Sequence, residues 1–142
     1  MHIMMEEAST ILYIDDDPDD LLIFGESICT LYPEITVLKA QSADEGLGIL
    51  NQLERDNKPF PGLIVLDMNM PKKDGRQTLQ DIKKKWEEIP VVIFTTSSNR
   101  ADIEFCQSFG TNCITKPMSY KNLNQTIQQI VSHSNIPNNK LQ

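Results

Sequence analysis

The chain repeats one unit five times: a short apolar run, then a stretch with helical periodicity. The runs are "TILYID", "ITVLKA", "GLIVLD", "PVVIFTT" and "NCIT". Each is brief, apolar and partly β-branched, as a strand buried on both faces must be. Between them, apolar residues recur three and four apart. Leu21, Phe24, Ile28 and Leu31 follow Pro18. Leu79, Ile82 and Trp86 follow the third strand, and Leu123, Ile127, Ile130 and Val131 close the series. Strands alternating with helices predict a parallel sheet covered on both faces, an α/β architecture. A chain of 142 residues suits a single domain of this kind. It buries roughly two-thirds of its unfolded surface and needs no disulfide or metal to fold.

Helix boundaries are readable as well. Pro18 suits a first helical turn, and Asp19 and Asp20 suit the positive end of the helix dipole. Ser42, with Glu45 three residues on, reads as a capping box for a helix through "ADEGLGILNQLER". Ser98 or Asn99 is positioned to cap "NRADIEFCQSFG", which Gly110 closes. "MNMPKKDG" reads as a loop. The end, "NIPNNKLQ", reads as a polar, frayed tail. The expected domain therefore spans 9–133, with short flexible termini at 1–8 and 134–142.

Charge narrows the function. The net charge of −7 argues against a general binder of nucleic acid or anionic membranes. All twenty acids lie at or before Glu104, and only Lys116, Lys121 and Lys140 are charged after it. No apolar run approaches the ~18 residues of a membrane span, and no signal peptide opens the chain. Cys29, Cys106 and Cys113 lack metal-site spacing and read as thiols of a reducing cytoplasm. Cys106 and Cys113 read as small buried hydrophobes.

In parallel sheets the ligand crevice lies at the carboxyl ends of the strands. That edge gathers Asp15–Asp17, Asp67, Thr95-Thr96 and Lys116. Carboxylates from two strand ends suit a hard divalent cation, and Mg²⁺ fits best because it retains waters and favours phosphate oxygen. Asp67 stands alone at its strand end and is the better nucleophile for phosphoryl transfer. Asp15 and Asp16 suit the metal, while Asp17, Asp19 and Asp20 are assigned to the helix start and solvent. Asp15, Asp17, Asp19 and Glu26 mimic calcium-loop spacing, but Asp20 stands where that loop needs glycine.

"YIDDD", "IVLDMNMPKKDG", "PVVIFTTS" and "ITKP", in this order, resemble the receiver domain of two-component response regulators. The likeness covers roughly residues 9–133. It implies a flavodoxin-like, doubly wound sheet of order 2-1-3-4-5 with five helices, and a phosphoacceptor switch rather than an enzyme. It implies phosphorylation of Asp67 by a sensor histidine kinase or histidine phosphotransfer protein. Mg²⁺ would be held by Asp15, Asp16, Asp67 and the backbone carbonyl of Asn69. Thr95 would be the switch hydroxyl and Lys116 the phosphate-binding cation. Asn69 and Ser97 would flank the phosphoryl group and leave it open to water, giving a lifetime of minutes. The Lys116–Pro117 peptide would be cis.

Two positions depart from the family pattern. Cys113 stands where an aromatic is usual, and the stretch from Gly110 to Lys116 is one residue short. "MPKKDG" and "TTS" are also similar to small stand-alone regulators that partner phytochrome kinases. With no output domain following the last helix, the expected output is binding of a downstream protein or phosphorelay, in the cytoplasm, with homodimerisation as an option and no direct contact with nucleic acid or membrane. The competing reading is a haloacid-dehalogenase-like phosphatase using Asp15/Asp17. That chemistry wants an acidic pair after the lysine, and none follows Glu104.

Overall fold

The computed structural model describes residues 9–70, 75–96 and 99–141. Five strands form one parallel sheet: β1 (Thr10–Ile14), β2 (Thr36–Ala40), β3 (Leu63–Leu66), β4 (Val91–Thr95) and β5 (Asn112–Thr115). Their spatial order is β2-β1-β3-β4-β5, as the resemblance implies. The helices are α1 (Pro18–Leu31), α2 (Ala43–Arg55), α3 (Gly75–Lys85), α4 (Arg100–Ser108) and α5 (Leu123–Val131). Short 3-10 turns lie at Tyr120–Asn122 and Asn138–Lys140.

Side chains alternate across a strand, so each central strand feeds two cores. Leu12, Ile14, Ile64, Leu66 and Ile93 pack with Leu50 of α2, Leu79 and Ile82 of α3, and Cys106 of α4. Ile11, Tyr13, Leu63, Val65, Val92 and Phe94 pack with Leu21, Phe24 and Ile28 of α1 and Ile127 and Ile130 of α5. β3 and β4 are buried along their whole length, which is why they read as unbroken apolar runs.

The caps follow the sequence. Asp17 caps α1 by accepting the N–H groups of Asp19 and Asp20. Ser42 accepts the Glu45 N–H at the start of α2, and Asn99 accepts the Asp102 N–H at the start of α4. Gly110 ends α4 at φ +67°, a left-handed conformation that favours glycine. Ser98, the other candidate cap, lies outside the described residues, as do Ser97, the first eight residues, residues 71–74 and Gln142.

Two expectations change. The tail after α5 is not simply a polar end: Asn135 N–H donates to Gly62 O at 3.0 Å, and Ile136 is buried beside α1 and α5. One apolar side chain returned to the base of the sheet outweighs the polar residues around it. The Lys116–Pro117 peptide, expected cis, is trans, like every described peptide bond. Trans is the favoured form of an X–Pro bond by about 0.5–1 kcal/mol, and in it Lys116 reaches the sheet edge.

Candidate phosphoacceptor site

Strand register places the acids. Ile14 pairs with Ala40 on one side and Leu66 on the other, so Asp15 and Asp67 leave the sheet at the same level. Both are anchored by their own N–H groups, Asp15 to Ala40 O and Asp67 to Ile14 O, each at 3.0 Å. Thr95 ends β4 opposite Thr115, and Lys116 N–H donates to Thr95 O at 2.8 Å. Lys116 thus enters the same edge from 101 residues beyond Asp15.

Carboxylate oxygens of Asp15, Asp16 and Asp67 lie within 4.8 Å of one another. Asp15 is fully buried, Asp67 nearly so, and Asp16 is exposed. Two buried acids this close oppose joint ionisation unless a cation intervenes. Lys116 is that cation. Its Nζ lies 2.7 Å from Asp15 Oδ2, 2.7 Å from Asp20 Oδ2 and 3.9 Å from Asp67 Oδ2. Burial works against its charge, but its hydrogen bonds to Asp15 and Asp20 prevail and raise its pKa. Asp67 is pushed up to about 6, first by burial and then by the charge of Asp15, against the pull of Lys116.

The remaining groups complete the edge. Asn69 N–H donates to Asp67 Oδ1 at 3.3 Å, and Asn69 Nδ2 donates to Thr95 Oγ1, also at 3.3 Å. Thr95 is fully buried. Asp15 Oδ1 accepts the Asp17 N–H at 2.9 Å, and Asp15 Oδ2 accepts the Tyr13 hydroxyl at 2.6 Å. Gly75 opens α3 against the β3 end. A Cβ there would stand 2.5 Å from Met68 Cα and 2.7 Å from Asp67 O, so any larger residue would push the chain at the end of β3 aside.

The structure therefore assembles Asp15, Asp16, Asp67, Asn69, Thr95 and Lys116 at one edge. The chain matches the response regulator receiver domain model over residues 11–128. It belongs to that family. It is 36% identical to response regulator Rcp1 of Synechocystis over 131 residues, covering 86% of each chain. It is 28% identical to the probable C4-dicarboxylate response regulator DctR of Bacillus subtilis, spanning 89% of this chain and 54% of that protein. Among solved structures, the Mn²⁺-bound form of Rcp1 superposes with a TM-score of 0.78 at 31% identity, covering 91% of this chain and 99% of that one. The phosphorylated cyanobacterial phytochrome response regulator RcpA gives the same score and identity over 88% and 92% of the two chains. Receiver domains are signalling switches that bind a divalent metal and work with histidine kinases and downstream targets.

The competing phosphatase reading loses its second acid. Asp17, which it needs in the site, has its carboxylate committed to capping α1. The assignment of Asp20 to solvent is also corrected: it turns inward to Lys116. Tyr13 and Asp20 are the two site residues that sequence reasoning missed. A tyrosine in a strand is ordinary, and one aspartate of a cluster of five carries no mark of direction. No helix among the described residues is long and apolar enough to cross a membrane.

Proposed function

We propose that this receiver domain takes a phosphoryl group on Asp67 from a phosphohistidine of a sensor kinase or phosphotransfer protein, with Mg²⁺ as the metal. The carrying observation is the grouping of Asp15, Asp16 and Asp67 oxygens within 4.8 Å, with Lys116 Nζ 3.9 Å from Asp67. An all-oxygen donor set with one exposed member suits Mg²⁺, which keeps several waters. Asp15, Asp16, Asp67 and the Asn69 carbonyl would hold it. When bound, it supplies positive charge to the carboxylates and to the incoming phosphoryl oxygens.

The chain's own groups account for the rest. Asp67 attacks as the carboxylate, the form that predominates at neutral pH with its pKa near 6. An Asp67 oxygen bonds to phosphorus, the phosphorus–nitrogen bond of the donor breaks, and its electron pair stays on the imidazole. Lys116 neutralises one phosphoryl oxygen. Thr95 Oγ1, which accepts from Asn69 at rest, can turn to donate to another. Output then passes through protein binding or onward phosphotransfer. Small donors such as acetyl phosphate should serve in place of the kinase.

Incubation with acetyl phosphate and Mg²⁺, borohydride trapping and mass spectrometry test the assignment. The adduct is expected on Asp67 and absent from Asp67→Asn. Equal labelling of that variant would remove Asp67 from the role.

A further inference from the structure

Lys116 is not aimed at the acceptor in this state. Its Nζ is 2.7 Å from Asp15 and 2.7 Å from Asp20, but 3.9 Å from Asp67. The lysine side chain is only 11% exposed, so few waters share its three N–H donors. Asp15 has reason to be there: it is fully buried and needs the charge. Asp20 does not. Its side chain is 34% exposed, and it reaches back from the first turn of α1 across 96 residues of sequence.

We propose that Asp20 is a positioning residue that holds Lys116 Nζ at 3.9 Å from the phosphoacceptor in the unphosphorylated state, so that a phosphoryl group on Asp67 must compete with Asp20 for the lysine. The inference rests on the reading of Asp67 as acceptor and deepens it. A phosphoryl group on Asp67 draws Lys116 toward its oxygens; the ammonium has a donor for each partner, but any move of Nζ from its 2.7 Å contacts toward the acceptor lengthens its bond to one of the two carboxylates. Asp15 is pinned by the Tyr13 hydroxyl and the Asp17 N–H. Asp20 is the partner free to be given up, because water can replace the lysine at its exposed carboxylate. The bound state is therefore taxed by the ion pair it displaces. A partly exposed pair is worth up to about 1 kcal/mol, so removing it should tighten binding of a phosphoryl mimic about two- to fivefold.

Asp19 supplies the control. It sits one residue earlier in the same turn and carries the same charge, but it is exposed and away from Lys116. Beryllofluoride affinity in saturating Mg²⁺ is measured for the parent, Asp20→Asn, Asp20→Ala, Asp20→Glu and Asp19→Asn, with melting curves to confirm folding. The expected result is tighter binding by Asp20→Asn and Asp20→Ala, parent affinity in Asp19→Asn, and return toward parent affinity in Asp20→Glu. Equal gains in Asp19→Asn and Asp20→Asn would reduce the effect to net charge and overturn the proposal. Unchanged or weaker binding in both Asp20→Asn and Asp20→Ala would also overturn it. No binding by the parent would instead overturn Asp67 as acceptor, and this inference with it.

Discussion

The Tyr13 hydroxyl donates to Asp15 Oδ2 at 2.6 Å, inside the sheet edge and away from water. The two residues are separated by one position, so they share a face of β1. The Tyr13 ring also packs, tilted, against those of Phe24 and Phe94, with centroids 4.6 Å and 6.3 Å away. The apolar floor of the site thus ends in a hydrogen-bond donor aimed at the most buried acid. Burial first, and the charge of Asp15 next, push the Tyr13 pKa far upward, so the hydroxyl stays a donor.

Tyr13→Phe is therefore expected to destabilise the protein by about 1.5–3 kcal/mol, the usual worth of a hydrogen bond to a charged group. Packing of the ring is retained, so the loss reports the hydroxyl. Urea unfolding at neutral pH measures it, and an unchanged midpoint would show that Lys116 and the Asp17 N–H suffice for Asp15.

Metal-free protein should lose stability as pH rises from 4 to 7. Asp67 has a folded pKa of about 6 against 3.8 for an ordinary aspartate. Between those values the native state holds more protons than the unfolded state, so the slope of unfolding free energy with pH is negative. The stability is present below the lower value and is lost as Asp67 ionises, by at most about 3 kcal/mol. Urea unfolding in chelator at pH 5 and pH 7 measures the difference. Asp67→Asn should flatten it.

Metal should reverse that loss. A ligand that binds only the native state stabilises it by mass action, by about 2.7 kcal/mol at a hundred times its dissociation constant. Millimolar Mg²⁺ should raise the melting temperature at pH 7. Asp16→Asn should stabilise the metal-free protein by relieving repulsion and should shrink the Mg²⁺ increment. Identical melting curves with and without Mg²⁺ in both proteins would count against a metal site.

The grouping of Asp15, Asp16 and Asp67 was legible because an apolar run that ends abruptly in aspartate marks a strand end, and a parallel sheet brings such ends together. Lys116 and Thr95 gained meaning only from that set. Other features left no periodic or spacing signal. Asp20 differs from Asp19 in sequence by nothing that says which turns inward. The choice is made by where the first turn of α1 stands relative to Lys116, just past β5, a relation spanning 96 positions. Ile136 is one apolar residue in a polar stretch, below what a pattern can detect. Arg76 and Asp102 join α3 to α4 by an ion pair, with Arg76 also 5.0 Å over Phe105, and that too depends on tertiary placement.

Thr95 and Cys113 carry the last prediction. At rest Thr95 Oγ1 accepts from the Asn69 side chain, so the hydroxyl is tied to the loop that follows the acceptor. Turning it to a phosphoryl oxygen breaks that tie and gives the two states different contacts at the end of β4. Thr95→Ala keeps the nucleophile and the metal acids, so it should still bind beryllofluoride. It should lose the change that binding induces over α4, β5 and α5. Cys113 pairs with Ile93 in register and packs beside Cys106 of α4. Burial, and then Cys113 itself, push the Cys106 thiol up to about 12, and burial raises Cys113 as well, so neither sulfur is activated. Cys113 acts as a small packing residue where the family usually has an aromatic, and Cys113→Ala should leave the coupling nearly intact. Amide exchange over residues 99–132, with and without beryllofluoride, reads both effects. Equal protection changes in the parent and Thr95→Ala would remove Thr95 from the switch. Loss of the change in Cys113→Ala would give the cysteine a switching role of its own.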